Sequence, residues 1–293
     1  MSSFDQILLQ QVELALMEDV GPGDITTLGC IEEKPAAAEI VAKSEGILAG
    51  LSIMEAVFRK LDGKIEVKSD KGDGLPFDHG DTIAEIRGNS RAIMTGERTA
   101  LNFLGHLSGI ATLTGKFVEK VSGTKAIILD TRKTTPGLRY LEKYAVACGG
   151  GENHRFGLFD MVLIKDNHIA ACGSVAGAVE KVRKFLGSPE FKKKYVIDPS
   201  RVVLEVEVVS EAQLKEAVDS GIKRLLLDNQ SLESLALLVK CARSLAGDLK
   251  LEASGNMNLD NVAAVAKTGV DYISIGALTH SATSADFSLR IVA

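Results

Sequence analysis

The second half of the chain repeats one unit: a short apolar run that closes on polar or charged residues, followed by a helical pattern. The runs are AIILDTRK, MVLIKDNH, RVVLEVEV, RLLLDN, LKLEAS and YISIG. Glu207 to Asp228 is 21 positions (228 − 207), Asp228 to Glu252 is 24 (252 − 228), and Glu252 to Gly276 is again 24 (276 − 252). Runs rich in β-branched residues and Leu, without strict alternation, suit a parallel sheet covered on both faces. The segments between them, such as SEAQLKEAVDSG and SLESLALLVKCARSLAG, open on serines that can cap a helix. Such a βα repeat builds either an α/β barrel or an open doubly wound sheet. Polar residues close strand after strand here, which favours the barrel, because an open sheet gathers its functional groups mainly at one crossover.

The first hundred residues read differently. AAAEIVAKSEGILAG and KIEVKSDKGDGLPFDHGDTIAEIRGNSRAI hold short strands, Gly-Asp turns and intervening helices, as a small α+β sheet domain would. Residues 96–121 form a helix or helix pair that joins the two parts. At 293 residues the chain can bury about three quarters of its unfolded surface, so neither disulfides nor a structural metal is required. Cys30, Cys148, Cys172 and Cys241 stand far apart with no CxxC pair, which fits reduced thiols inside a cell. The N-terminal segment carries Asp5, Glu13, Glu18 and Asp19 among its apolar positions and is not a secretory signal. No apolar stretch reaches the roughly 18–20 residues that cross a bilayer. A soluble, cytoplasmic protein is expected. The formal net charge of −5, and the lack of any basic run beyond Lys192, Lys193 and Lys194, argue against a nucleic-acid partner.

Four clusters carry chemistry. After AIILD come Thr131, Arg132, Lys133, Thr134 and Thr135, with Arg139 and Lys143 beyond. A planar guanidinium fork beside a point charge at a strand end makes an anion site. Gly149, Gly150 and Gly151 precede His154 and Arg155, and Lys165 closes the run MVLI; the glycines permit positive φ or a close approach to a ligand. His154 reads as a hydrogen-bond donor to an anion. A metal shared by His154 and His168 has no HxxxH or CxxC spacing behind it. Glu205, Glu207, Asp228 and Glu252 form a carboxylate set, with Mg²⁺, sugar hydroxyls or lysines as partners, or internal ion pairs with Arg132, Lys133 or Lys165. Ser254-Gly255-Asn256 and Gly276-Ala277-Leu278-Thr279 follow the last two runs, where backbone N–H groups can meet a phosphate. The four together describe a small polyanionic substrate pair with a phosphate at one end.

EDVGPGDITT, ERTALNFLGHLSGIAT, DTRKTTPGLR, GGGENHRFGLFDMVLIKDNHI, LEVEV, LLLDN, LEASGNM and YISIGALTHSA occur in this order between about residues 15 and 290. Together they resemble the quinolinate phosphoribosyltransferase family, also called nicotinate-nucleotide pyrophosphorylase (carboxylating). The resemblance implies a glycosyltransferase of de novo NAD synthesis that turns quinolinate and phosphoribosyl pyrophosphate into nicotinate mononucleotide, pyrophosphate and CO₂. It implies an N-terminal α+β, sandwich-like domain over 1–110, with the tail 281–293 returning to it. It also implies an incomplete, about seven-stranded α/β barrel over 111–280.

A homodimer or larger homo-oligomer is implied as well, with one arginine, matching Arg98, reaching the partner's site. By position, quinolinate would meet Arg98, Thr131, Arg132, His154, Arg155 and Lys165. Lys133 would serve the pyrophosphate side, and Lys133, Lys165, Glu207 and Asp228 would be catalytic. Glu207 and Asp228 would lie near the ribose and, directly or through water, Mg²⁺. Ser254, Gly255, Asn256, Ile275, Gly276 and Ala277 would take the 5′-phosphate. No organic cofactor is implied. The nearest rival is a phosphoribosyltransferase for nicotinate or another related acid, against which Arg98, Arg132 and Arg155 argue for a dicarboxylate. A noncatalytic binding protein on the same barrel is the other alternative.

Overall fold

The computed structural model describes residues 3–292, with side chains from residue 6 onward. In chain order the first elements are α1 (Ser3–Val20), α2 (Ile25–Cys30), β1 (Pro35–Ala42), β2 (Gly46–Ile47), α3 (Leu51–Leu61), β3 (Glu66–Lys68), β4 (Pro76–Phe77), β5 (Thr82–Asn89) and α4 (Ser90–Lys120). Then follow β6 (Ile127–Leu129), α5 (Arg139–Cys148), β7 (Val162–Ile164), α6 (Asp166–Cys172), α7 (Val175–Leu186), α8 (Pro189–Lys194), a 3₁₀ turn at Pro199–Arg201, β8 (Leu204–Val208) and α9 (Glu211–Asp219). The last are β9 (Arg224–Asp228), α10 (Leu232–Leu245), β10 (Lys250–Ser254), α11 (Val262–Lys267), β11 (Tyr272–Ser274), α12 (Ala277–His280) and β12 (Phe287–Val292). They form two compact units. The first holds the residues up to Lys116, Lys133–Gly151 and the chain from Leu278 on; the second holds Phe117–Arg132 and Glu152–Ala277.

In the first unit a sheet of order β12-β1-β5-β3 is antiparallel at each pairing. Its core draws Ile40 from β1, Ile86 from β5, Met54, Val57 and Phe58 from α3 and Leu104 from α4, all fully buried. The C-terminal strand lies against β1, with Leu289 opposite Ile40; residue 293, the end of the expected tail, lies outside the described residues. Two glycines four positions apart on α4 admit the segment leading to that strand. Ala285 N–H donates to the Gly105 carbonyl at 2.9 Å, and a Cβ on Gly105 would stand 2.6 Å from the Ala285 carbonyl oxygen. A Cβ on Gly109 would stand 3.0 Å from Ser284 Cα. The contact is with backbone, which cannot swing aside, so Gly109→Val should cost about 1–3 kcal/mol, as overpacking does. A denaturant midpoint equal to that of the unaltered protein would refute this close packing.

The triple glycine also serves packing. Gly149 lies against α4, where an added Cβ would stand 2.6 Å from Thr114 Cβ, and Gly150 adopts φ +84°. The expected helix or helix pair at 96–121 is one 31-residue helix, α4, that begins at Ser90.

In the second unit six parallel strands run in the order β6-β11-β10-β9-β8-β7. On the far side of β6, Leu129 makes a parallel bridge to Glu152, a seventh, single-residue contribution that leaves the barrel incomplete. Alternation is stricter than the apolar runs suggest. Val206, Val208, Leu225, Leu227, Leu251 and Ala253 are fully buried on one face, beneath helices such as α9. The alternate positions carry Glu205 and Glu207, Arg224 and Asp228, and Lys250, Glu252 and Ser254, in register across β8, β9 and β10. Leu226 stands among them, in register with Glu207 and Glu252, so this face mixes apolar and ionisable groups, and the buried charges on it must be balanced by internal pairing.

Candidate active site

Strand direction places the candidate residues of the second unit at one end of the barrel. Thr131 and Arg132 follow β6, Lys165 follows β7, Glu207 sits near the end of β8, Asp228 ends β9, Ser254 ends β10, and Ile275, Gly276 and Ala277 follow β11. His154 and Arg155 follow the bridge residue Glu152. The bridge is fixed by Glu152 N–H to the Ile128 carbonyl at 2.9 Å and Asp130 N–H to the Glu152 carbonyl at 3.2 Å. Asp130 is fully buried, and its carboxylate accepts the His154 backbone N–H at 2.8 Å. That bond locks the start of the His-Arg segment to the end of β6. Arg155 donates from its backbone to His154 Nδ1 at 2.7 Å. Its guanidinium pKa is drawn down first by burial and then by the neighbouring charge of Arg132. Two cations crowded together in a partly buried place are stabilised by an anion that touches both.

Below them lies a closed ionic network. His154 Nε2 stands 3.1 Å from Glu205 Oε2 and 3.4 Å from Glu252 Oε1. Arg224 bridges the same two carboxylates, at 2.9 Å from Nε to Glu205 and 2.6 Å from Nη2 to Glu252. Both glutamates are fully buried. The other face of the guanidinium lies over the Tyr272 ring, 4.5 Å from its centroid. Burial raises the Glu205 pKa, and the Glu252 charge adds to this. Burial works against the charged forms of His154 and Glu252 as well, but their partners outweigh it: His154 is held up at about 9 and Glu252 down at about 2. Nδ1 accepts from the Arg155 backbone, so Nε2 is the ring nitrogen that carries a proton toward the two carboxylates. His154, Glu205 and Glu252 also cluster closely enough to hold a metal ion, but the Arg224 guanidinium already supplies the cation.

Toward the strand ends, Lys165 Nζ stands 3.6 Å from Glu207 Oε2, with Lys165 half exposed and Glu207 largely buried. Burial raises the Glu207 pKa, Lys165 lowers it, and the charge of Asp228 raises it again. Two carboxylates that repel on adjacent strands offer the hard oxygen donors that Mg²⁺ takes, so the residues present fit that ion. Beyond them, Asn229 N–H donates to the Ser254 carbonyl at 2.9 Å. Gly255 takes φ +100° against Asn229, whose Cα would lie 3.0 Å from any added Cβ. Asn256 is left-handed at φ +50°, and its carbonyl accepts from Asn261 Nδ2 at 3.0 Å.

Several expected residues thus share one end of one barrel: Thr131, Arg132, His154, Arg155, Lys165, Glu207, Asp228, Ser254 to Asn256 and Ile275 to Ala277. Lys133 and Arg98 belong to the first unit. The Lys133 carbonyl there accepts from Thr279 Oγ1 at 2.7 Å. Arg98 is an exposed residue of α4. His154 Nε2 faces the anionic side chains of Glu205 and Glu252, and Nδ1 accepts from the Arg155 backbone. His168 accepts the Lys165 backbone N–H at 2.9 Å through Nδ1, and so caps α6. Of the internal pairs the sequence offers for the carboxylate set, Lys165 with Glu207 is present, while Glu205 and Glu252 pair with Arg224 and His154. Arg224 was missed. Its signal was the period of two in RLLLD, which sets Arg224 on the same face as Asp228.

Two family descriptions match the chain: quinolinate phosphoribosyl transferase, N-terminal domain, over residues 24–108, and C-terminal domain, over residues 110–290. A probable nicotinate-nucleotide pyrophosphorylase (carboxylating) of Bacillus subtilis is 44% identical over 275 residues, covering 94% of this chain and 90% of the relative. Quinolinate phosphoribosyltransferase (decarboxylating) 1b of Nicotiana tabacum is 38% identical over 288 residues, covering 96% and 81%. The solved structure of the nicotinate-nucleotide pyrophosphorylase from Francisella tularensis superposes with a TM-score of 0.90 at 40% identity, covering 100% of this chain and 98% of that one. With both halves matched, the chain belongs to the quinolinate phosphoribosyltransferase family.

Proposed function

We propose that the protein transfers the phosphoribosyl group of phosphoribosyl pyrophosphate to quinolinate with loss of CO₂, giving nicotinate mononucleotide and pyrophosphate for NAD synthesis. The observation that carries this is the gathering of Arg132, Arg155 and Lys165 at one barrel mouth, with the Glu207–Asp228 carboxylates and the Gly255 loop on neighbouring strands. A dicarboxylate offers a separate anionic group to each arginine, and a monocarboxylate offers only one. Arg132, Arg155, Lys165 and Thr131 hold quinolinate, with Arg98 of the partner subunit in a homo-oligomer. His154 supports Arg155 from beneath. Lys133 serves the pyrophosphate, Glu207 and Asp228 the ribose, and the loops at Ser254–Asn256 and Ile275–Ala277 the 5′-phosphate.

The chemistry follows from charge. The bond from ribose C1 to the pyrophosphate oxygen breaks, pyrophosphate leaves with the electron pair, and the ring nitrogen of quinolinate bonds to C1. Positive charge that builds on C1 is tolerated by Glu207 and Asp228, which would also hold Mg²⁺, an ion that neutralises pyrophosphate. Lys133 adds positive charge on the leaving side. The alkylated ring nitrogen is cationic, so the electrons of the C2–carboxylate bond can collapse toward it as CO₂ departs, and C2 then takes up a proton. Positioning by the two arginines matters more than any dedicated base.

Arg98 is exposed, and no acidic side chain pairs with it among the described residues, as suits a cation offered across a subunit boundary. Mixing an inactive Arg98→Ala chain with an inactive Arg155→Ala chain should restore part of the activity, because a mixed dimer carries one intact site. Confirmed mixed oligomers with no activity would overturn the shared site.

A further inference from the structure

At the opposite end of the barrel, where β8, β9, β10 and β11 begin, the second unit holds a cavity of about 820 Å³. Arg183, Arg201, Lys223, Arg224 and Lys250 line it together with Tyr272, and no carboxylate is among its lining residues. Lys223 is paired with Asp248 at 3.0 Å, and Arg224 is engaged with Glu205 and Glu252. Arg183 donates to the Gly221 carbonyl at 3.3 Å. Among the described residues no acidic side chain pairs with Arg183, Arg201 or Lys250. Three such cations around one concavity concentrate positive charge there. Leu186, Val202 and Ile222 give the same cavity apolar walls. Its volume falls within the range of pockets that enclose small organic ligands, roughly 300–1,000 Å³.

We propose that this cavity is a second, noncatalytic binding site for a small organic phosphate of nucleotide size. Arg183, Arg201 and Lys250 grip the phosphates, and the organic part lies against the apolar wall and the Tyr272 side. The alternation of β10 explains why Lys250 is available. It stands on the same face as Glu252 and Ser254 but two residues before Glu252, past the reach of the closed network, so its charge opens to the base of the barrel. The inner wall of the cavity is Arg224, the residue that ties Glu205 and Glu252 together beneath His154. A phosphate bound there sits one side chain away from the network that supports Arg155.

The site is tested by calorimetric titration of the full-length protein, without divalent metal, using ATP and inorganic tripolyphosphate as probes. Three chains are compared: the unaltered protein, Arg201→Glu/Lys250→Glu, and Lys165→Ala, which alters the opposite mouth. Saturable binding that weakens at least about tenfold in the double variant, equivalent to about 1.4 kcal/mol, and changes less than about twofold in Lys165→Ala is expected. Equal affinity for both probes would assign recognition to the phosphates; tighter ATP binding would assign a share to the apolar wall. Either upholds the site. Absence of saturable binding to the unaltered protein, indifference to the double charge reversal, or loss of binding in Lys165→Ala would each overturn it. Binding is read without turnover, so the outcome is separate from that of the proposed reaction.

Discussion

Lys165→Ala should lower kcat by on the order of 10²–10³, the usual cost of removing one preorganised charge that meets the transition state, while circular dichroism and the unfolding midpoint stay unchanged. Lys165 can be removed cheaply because it is half exposed and its ion pair to Glu207 is long at 3.6 Å. Its ammonium closes the cationic side of the mouth at the place where Glu207 and Asp228 begin the acidic side. Without it Glu207 loses the neighbour that lowers its pKa and keeps the burial and the Asp228 charge that raise it. The rate should therefore also fall off at a higher pH in the variant as the solution is made more acid. Lys133→Ala should show a similar loss in kcat. Full activity in both variants would remove them from the catalytic assignment.

The second large effect concerns the buried network. Arg224→Leu strips the guanidinium from two fully buried glutamates, and breaking a buried pair in this way costs about 3–5 kcal/mol. The pH dependence has a defined sign. His154 is held at about 9 against an ordinary 6.5, so its contribution is complete below pH 6.5 and is lost as pH rises through 9. Glu252 is held at about 2 against 4.5, so its contribution is complete above pH 4.5 and is lost as pH falls through 2. Both are complete between pH 4.5 and 6.5. Denaturant titrations across pH should show the acid limb flattened in Glu252→Gln. A limb of unchanged slope would remove Glu252 from the account.

Much of the fold was legible because barrel strands announce themselves. Runs such as RLLLDN and LKLEAS recur at 21 and 24 positions, and each ends on a polar residue. The candidate residues of the mouth followed from the same rule, since a parallel barrel brings all its strand ends to one side. What stayed hidden was the division of labour inside the strands. Glu205 and Glu207 are two positions apart on one face, yet Glu205 belongs to the closed network and Glu207 to the mouth. Depth along the barrel separates them, and depth comes from register between strands, which a single sequence does not state. The same gap concealed Arg224: a lone arginine at the start of an apolar run looks like a solvated strand end until β8 and β10 set Glu205 and Glu252 beside it. His154 shows the converse. Its place in GENHRFG suggests a ligand contact, but the Asp130 carboxylate and the Arg155 backbone turn its ring inward.

A mouth that gathers Arg132, Arg155 and Lys165 suits a dicarboxylate. Cations held together for a partner that is absent disfavour the wrong substrate strongly, so quinolinate and nicotinate should separate in one paired assay. The purified protein is given phosphoribosyl pyrophosphate and Mg²⁺ with each acid in turn, and CO₂ and nicotinate mononucleotide are measured together. Quinolinate should yield the two in equal amounts, with nicotinate turned over negligibly. Turnover of nicotinate without turnover of quinolinate would contradict the account.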